Sequence, residues 1–254
     1  RDKSADEETS QTLMRRIIQM ADAATDVMLI LFVVLVISFG IYGVWDNQNV
    51  YRNADASVYE IYRPSLQEVD GKNGLEELQK MNPDVIAWIQ IDDTRIQYPV
   101  VQGEDNTEYI NTDAAGEDSL SGSIFLDYRN RADFSDLNNI IYGHHMANDN
   151  MFGQLDEYQN KNFFETHRTG SLYYEGVWHP IWFFAFLKTD AYDKVVYDPW
   201  LSRSGTTENF CLYLRKNAQY LEMPSVSRTT RFVTLSTCSE ERTNGRYVLI
   251  GIME

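Results

Sequence analysis

Hydrophobic and polar positions divide this chain into two unlike parts. From Val27 to Trp45 (VMLILFVVLVISFGIYGVW) nineteen consecutive residues carry no charge and nearly all are apolar. A helix needs roughly 20 such residues to cross a bilayer, so the run predicts one transmembrane segment. A signal-peptide core is shorter, roughly 7–15 residues, and ends at a small-residue cleavage site. Here Gly40 and Gly43 are separated by bulky Ile41 and Tyr42, which favours an uncleaved anchor. On this reading residues 1–26 precede the membrane, 27–45 cross it, and 46–57 form a mostly polar linker.

Beyond about Val58 the apolar runs become short. Tyr59–Gln67 and Gly74–Met81 read as helices, the second stopped by Asn82-Pro83, because the residue before a proline is pushed out of the helical region. Strand-like runs then recur at Val85–Ile91, Ile96–Val101, Ser123–Leu126, Asn139–Tyr142, Ser171–Tyr174, Trp178–Leu187, Phe232–Leu235 and Tyr247–Ile252. Turn residues separate them, among them Asp92-Asp93, Gly103, Gly122, Gly176 and Asn244-Gly245. One helical segment, Glu208–Tyr220, interrupts the series with Phe210, Leu214 and Ala218 at helical spacing. Many short strands with helical insertions predict a mostly β domain over 58–254, a closed or nearly closed barrel.

Composition narrows the classes without naming one. The 254 residues are 43% hydrophobic and 24% charged, the balance of a globular protein. A net charge of -16 argues against nucleic acid as a partner, since phosphate binding needs clustered Lys and Arg. The acidic surface reads as a solubility device. Charge does not orient the span either: Arg15 and Arg16 precede it, Arg52 and Arg63 follow at similar distance, and acidic residues flank both sides. Two cysteines, Cys211 and Cys238, make no disulfide framework.

Those two cysteines differ in setting. Cys211 sits among the apolar positions of a helical pattern and reads as a buried packing residue. Cys238 ends the run Arg231-Phe-Val-Thr-Leu-Ser-Thr and is followed by polar Ser239-Glu240-Glu241-Arg242. A second run begins at Arg246, eight residues on. Two adjacent strands joined by that polar turn would bring a thiol and a guanidinium side by side. A fixed cation lowers a thiol's pKa and can stabilise an oxyanion. Arg242 is the competing cation, but it lies in the turn, where its aim is loose. Upstream, His144 and His145 follow the probable buried strand Asn139–Tyr142 and Gly143, well placed for acid–base work in a cleft. Adjacent residues on an extended segment face opposite ways, and neither CxxC nor HExxH accompanies the pair, so no zinc site and no other metal or cofactor is indicated. His167 and His179 lack comparable context.

Taken together, Asn138-x-x-Ile-Tyr-Gly-His144-His-Met, Thr234-Leu-Ser-Thr-Cys238 and Arg246-Tyr-Val-Leu-Ile-Gly251 resemble the sortases, specifically class B. Val85-Ile-Ala-Trp-Ile-x-Ile91, Tyr98-Pro-Val-Val-Gln-Gly103, Gly122-Ser-Ile-Phe-Leu-Asp-Tyr-Arg-Asn130 and Met151-Phe152 extend the likeness over roughly residues 58 to 254. The resemblance implies a sortase-type closed β-barrel with N-terminal helices and a helix-bearing loop, here spanning about Ala191 to Pro224. It also implies a membrane-anchored cysteine transpeptidase on the extracellular face of a Gram-positive bacterium, with the N-terminus cytoplasmic. Cys238 would attack a carbonyl in the C-terminal sorting signal of a surface protein. His144, which directly follows the glycine as the family's base does, would protonate the departing amine. It would then deprotonate an incoming amine, from a peptidoglycan precursor or from a pilin lysine. Arg246 would hold substrate and stabilise the oxyanion. Family correspondence places substrate contacts at Asn106 and Ile110, in a helix after Gly103, and at Ser236. Glu240 resembles an acidic position in some class B enzymes, with its role open. Three other readings stand beside a wall-anchoring enzyme. They are a pilus-polymerising sortase, an ordinary cysteine protease and an inert surface module, the last expected to have lost Cys238, His144 or Arg246.

Overall fold

The computed structural model describes residues 3–64, 74–239 and 241–253. The chain divides into two compact units, one ending at Asn49 and one beginning at Val50.

Where described, the first unit is helical and belongs to α1, which covers Lys3–Ala54. Among the described residues its apolar stretch is exposed: Leu29, Phe32, Leu35 and Phe39 are 61–74% exposed. A helix apolar on every side and buried against no protein has the length and composition to cross a membrane. The polar stretch expected as a linker from Asp46 stays helical as far as Ala54.

The second unit is a β-barrel. Its strands are β1 (Val85–Ile91), β2 (Gln97–Val101), β3 (Ile124–Leu126), β4 (Asn138–Tyr142), β5 (Thr169–Tyr174), β6 (Val177–Asp190), β7 (Tyr220–Leu221), β8 (Arg231–Cys238) and β9 (Gly245–Met253). The hydrogen-bonded order is β5-β1-β2-β3-β4-β8-β9-β6, and β6 returns to β5, so eight strands close on themselves. The short β7 lies outside the ring on β6. Pairing is antiparallel except for β2 with β3 and β4 with β8. Closure leaves no long edge among these eight strands, the usual solution for a small all-β core.

The apolar runs of β8 and β9 are nearly continuous because both of their faces are covered. Leu235, Leu249 and Phe183 join the core inside the barrel with Trp88 and Tyr98. Phe232, Val248, Ile250 and Phe184 face the other way, into a second core. That second core lies under α4 (Thr207–Asn217), whose Phe210, Cys211 and Leu214 complete it. Between β5 and β6, Glu175 and Gly176 have φ of 50° and 81°. Two successive positive-φ residues make the type of hairpin turn whose twist suits antiparallel strands.

Two expectations on secondary structure need adjusting, and one stretch was not foreseen. Tyr59–Gln67 is not a helix where it is described: the chain makes two 3-10 turns, Ala56–Val58 and Glu60–Tyr62. Arg63 is then extended (ψ 129°), as the residue before Pro64 must be; Ser65, Leu66 and Gln67 lie outside the described residues. Glu208–Tyr220 is a helix only to Asn217, after which Tyr220 and Leu221 pair with Phe186 and Ala185. The periodicity also gives no hint of α3 (Lys161–Thr166) or of the 3-10 segment Gly153–Gln159 before it. Helix α2 (Gly74–Met81) and the eight barrel strands lie where the apolar pattern puts them, to within a few residues.

Candidate active site

The site is built where the C-terminal ends of β4 and β8 meet the start of β9. Strands β8 and β9 run antiparallel, and their last register pair is Cys238 with Arg246. Directly opposed residues in such a ladder hold their Cβ atoms about 4.5–5.5 Å apart, so thiol and guanidinium stems are cross-strand neighbours. The turn between them is closed by Ser239 N donating to Gly245 O (2.9 Å) and Gly245 N donating to Arg242 O (3.0 Å). The thiol of Cys238 is exposed although Phe232 through Thr237 before it are buried. Arg246 is half-buried and donates from Nη1 to the Gly245 carbonyl at 2.9 Å. Arg242 is exposed and lies in the turn, away from the cleft lining.

Parallel pairing of β4 with β8 brings the histidine to the same end. Tyr142 is in register with Ser236, Gly143 N donates to Ser236 O (3.1 Å), and Thr237 Oγ1 donates to Gly143 O (2.8 Å). A side chain at Gly143 would be crowded: a Cβ there would meet Phe152 at 2.8 Å and collide with Ile124. His144 follows with Nε2 2.8 Å from the Ile110 carbonyl. A carbonyl only accepts, so the proton of that bond is on Nε2, and in the neutral ring Nδ1 carries the lone pair. The carbonyl itself is fixed by a close backbone approach. Gly122 (φ 58°) lies so near that a Cβ on it would meet Tyr109 O at 2.7 Å and collide with Ile110 O.

His145 leads elsewhere. Its Nε2 is 3.3 Å from Asp156 Oδ2, and its ring faces Tyr247 at 6.4 Å, on the side of β9 opposite Arg246. The alternation expected of an extended segment therefore separates the two histidines.

One cleft of about 220 Å³ brings together Cys238, His144, Arg246, Asn106, Ile110 and Ser236. Asn106 is not helical as expected; it lies in the loop before a single 3-10 turn, Glu108–Ile110. Its Oδ1 accepts from Tyr128 N at 3.0 Å. Ser236 is buried, and its Oγ is 2.8 Å from the Tyr197 hydroxyl.

Three aromatic lining residues, Phe125 and two tyrosines, escaped the sequence reading of the site. Tyr142 stands directly before Gly143-His144, and that position was signal enough to suspect it. Tyr197 comes from the long loop after β6 and carried no signal at all. The two tyrosine rings stack at 6.0 Å with 27° between planes. Burial, above all, pushes both phenols well above their usual range, so both hydroxyls keep their protons. Cys211 is buried in α4, and burial followed by the charge of Glu208 pushes its thiol up to about 11. It is an inert thiol of packing type. Glu240 lies outside the described residues.

Known proteins resemble this chain in sequence and in fold. The sortase-domain family model matches residues 89–254. Sortase B of Listeria monocytogenes is 33% identical over 208 residues, covering 81% of this chain and 84% of that protein. The crystal structure of a Streptococcus pyogenes class B sortase involved in pilus biogenesis superposes with a TM-score of 0.67 at 39% identity, covering 71% of this chain and 97% of that one. Sortase B from the type II pilus of Streptococcus pneumoniae is similar at a TM-score of 0.59 and 38% identity, covering 70% and 96%. With its closed eight-stranded barrel and its match over most of the catalytic unit, the chain belongs to the sortase family of cysteine transpeptidases, in class B.

Proposed function

We propose that this chain cleaves a C-terminal sorting signal in surface proteins through a thioacyl intermediate on Cys238 and transfers it to an amine of a cell-wall precursor. The observation that carries this reading is the register pair Cys238–Arg246 sharing a cleft with His144. Cys238 passes its proton to His144 as Sγ attacks the scissile carbonyl carbon, and the tetrahedral oxyanion lies toward the Arg246 guanidinium. One such donor contributes about 2.7–4 kcal/mol to the transition state. The C–N bond then breaks and His144 delivers a proton to the departing amine. In the second half an incoming amine loses its proton to His144 and attacks the thioester, and the C–S bond breaks to restore Cys238. With Nε2 committed to Ile110 O, Nδ1 is the nitrogen free to take and give that proton. Asn106, Ile110 and Ser236 line the cleft, and on this reading they contact the donor peptide.

Helix α1 anchors the enzyme by its Val27–Trp45 stretch, with residues 1–26 cytoplasmic and the barrel on the extracellular face of a Gram-positive cell. A soluble site there meets donor and acceptor at the membrane surface.

A second reading has a specific support. Two solved structures at 38–39% identity, above the 33% of the Listeria sortase B, are pilus sortases. In that case the acceptor is a pilin lysine amine and the product an isopeptide-linked polymer. Incubating the enzyme with a peptide library, with and without candidate amines, tests both. Mass spectrometry reads the motif cleaved and the amine joined. Transfer to a wall-precursor amine supports the first reading, and transfer only to a lysine in a pilin peptide replaces it with the second.

A further inference from the structure

Beneath the cleft, and outside its lining, is a buried ion pair that the reaction itself does not use. Asp127 follows β3 and its side chain has no exposure; Arg129 is two residues on and about one-third exposed. Arg129 forks onto the carboxylate, Nε to Oδ1 at 2.9 Å and Nη2 to Oδ2 at 2.7 Å. The Tyr142 hydroxyl donates to the same Oδ2 at 2.9 Å. Burial raises Asp127, but the Arg129 hydrogen bonds and charge outweigh it and hold the carboxyl below its usual range. Arg129 Nη2 also donates to the Tyr197 carbonyl at 3.1 Å. Tyr197 in turn stacks on Tyr142 and bonds Ser236.

A buried pair of this kind is weak evidence for stability, since desolvation offsets much of its attraction. Nor is it needed to keep the loop after β6 on the barrel. Asn138 does that: its N donates to Pro199 O at 2.9 Å and its Nδ2 to Val196 O at 2.8 Å. What Arg129 adds is a fixed point at Tyr197 itself, tied through one carboxylate to the other aromatic wall. We propose that Arg129, oriented by Asp127, is a positioning residue. It sets Tyr197 against Tyr142 and Ser236 and so determines how well the donor peptide fits. The inference rests on the assignment of this cleft as the site of cleavage.

The test uses the full chain in detergent micelles, a donor peptide taken from the library, and the variant Arg129→Lys. A lysine keeps the charge beside Asp127 but lacks the planar fork that reaches two acceptors at once. KM for the donor should rise about tenfold while kcat stays within about twofold, the pattern of lost ground-state fit. The rate at which iodoacetamide alkylates Cys238 should not change. An unchanged KM overturns the proposal, and so does a parallel fall of kcat and alkylation, which would make the pair general scaffolding. If Arg129→Lys does not fold, Asp127→Asn decides. It keeps the side-chain shape but removes the charge that orients Arg129, and should still raise KM, whereas a wild-type KM rejects the role. Cys238→Ala is run beside them. Cleavage by that variant would sink the assignment of the site, whereas an inert Cys238→Ala with an unchanged KM in Arg129→Lys sinks the positioning role alone.

Discussion

His144 and His145 are adjacent in the chain but held by different partners, one by a backbone carbonyl in the cleft and one by Asp156 beside Tyr247. Replacing His144 by Ala should lower turnover by at least two orders of magnitude, within the roughly 10²–10⁴-fold range of acid–base groups. His145→Ala should be much milder, and steady-state kinetics of the two variants on one peptide checks the ranking. A larger loss at His145 would move the role to it. Arg246 makes a second contrast at this scale. Lys at this position should be nearly as damaging as Ala, because a compact ammonium on a flexible stem cannot reproduce a planar fork of donors. Arg242→Lys should be close to neutral. Retention of most activity by Arg246→Lys would mean that charge alone suffices.

At the scale of elements, the site depends on how β4 and the loop before β3 approach each other. Gly143→Ala puts a methyl group against Ile124 and Phe152. Overpacking of that kind typically costs about 1–3 kcal/mol, and here the strain falls directly beside His144. A lower melting temperature with a disproportionate loss of kcat is the expected result, and wild-type kinetics would show that the strand end tolerates the group. The same elements explain what was legible in the sequence. Strands β8 and β9 were, because both faces are buried and their apolar runs are nearly continuous, and the short polar turn between Cys238 and Arg246 implied that the two lie side by side. Gly143-His144 was, because its motif is local. The Ile110 carbonyl and Tyr197 were not. One is a backbone atom held by an approach from Gly122, and the other reaches the cleft from a loop whose path depends on Asn138 and Arg129. Such long-range contacts leave no period and no spacing to read.

For the whole molecule, address and chemistry are expected to separate. Every cleft residue lies beyond residue 100, and the apolar run ends at Trp45. A chain shortened at its N-terminus should therefore be soluble and cleave peptides as fast as the membrane-embedded form. The cut matters, because Ala54 is buried and its carbonyl accepts the Tyr98 hydroxyl at 2.9 Å, while Tyr51 O accepts from Asn150 at 3.1 Å. A start at Val50 should thus melt higher than a start at Asp55, which deletes both partners. In cells either truncation should fail to process surface proteins, since confinement at the membrane raises the effective concentration of donor and acceptor. Peptide turnover lost on truncation at Val50 would show that the anchor region contributes to the site.

The central claim is a covalent one, that Cys238 carries the acyl group between donor and acceptor. Mass spectrometry of the enzyme mixed with its donor peptide, in the absence of any amine, tests it most directly. The account predicts an added mass equal to the N-terminal part of the donor, located on the tryptic peptide that contains Cys238. The adduct should vanish on adding the acceptor amine, be absent from Cys238→Ala, and persist in Cys211→Ala. An adduct on another residue, or cleavage by Cys238→Ala at the wild-type rate, would contradict it.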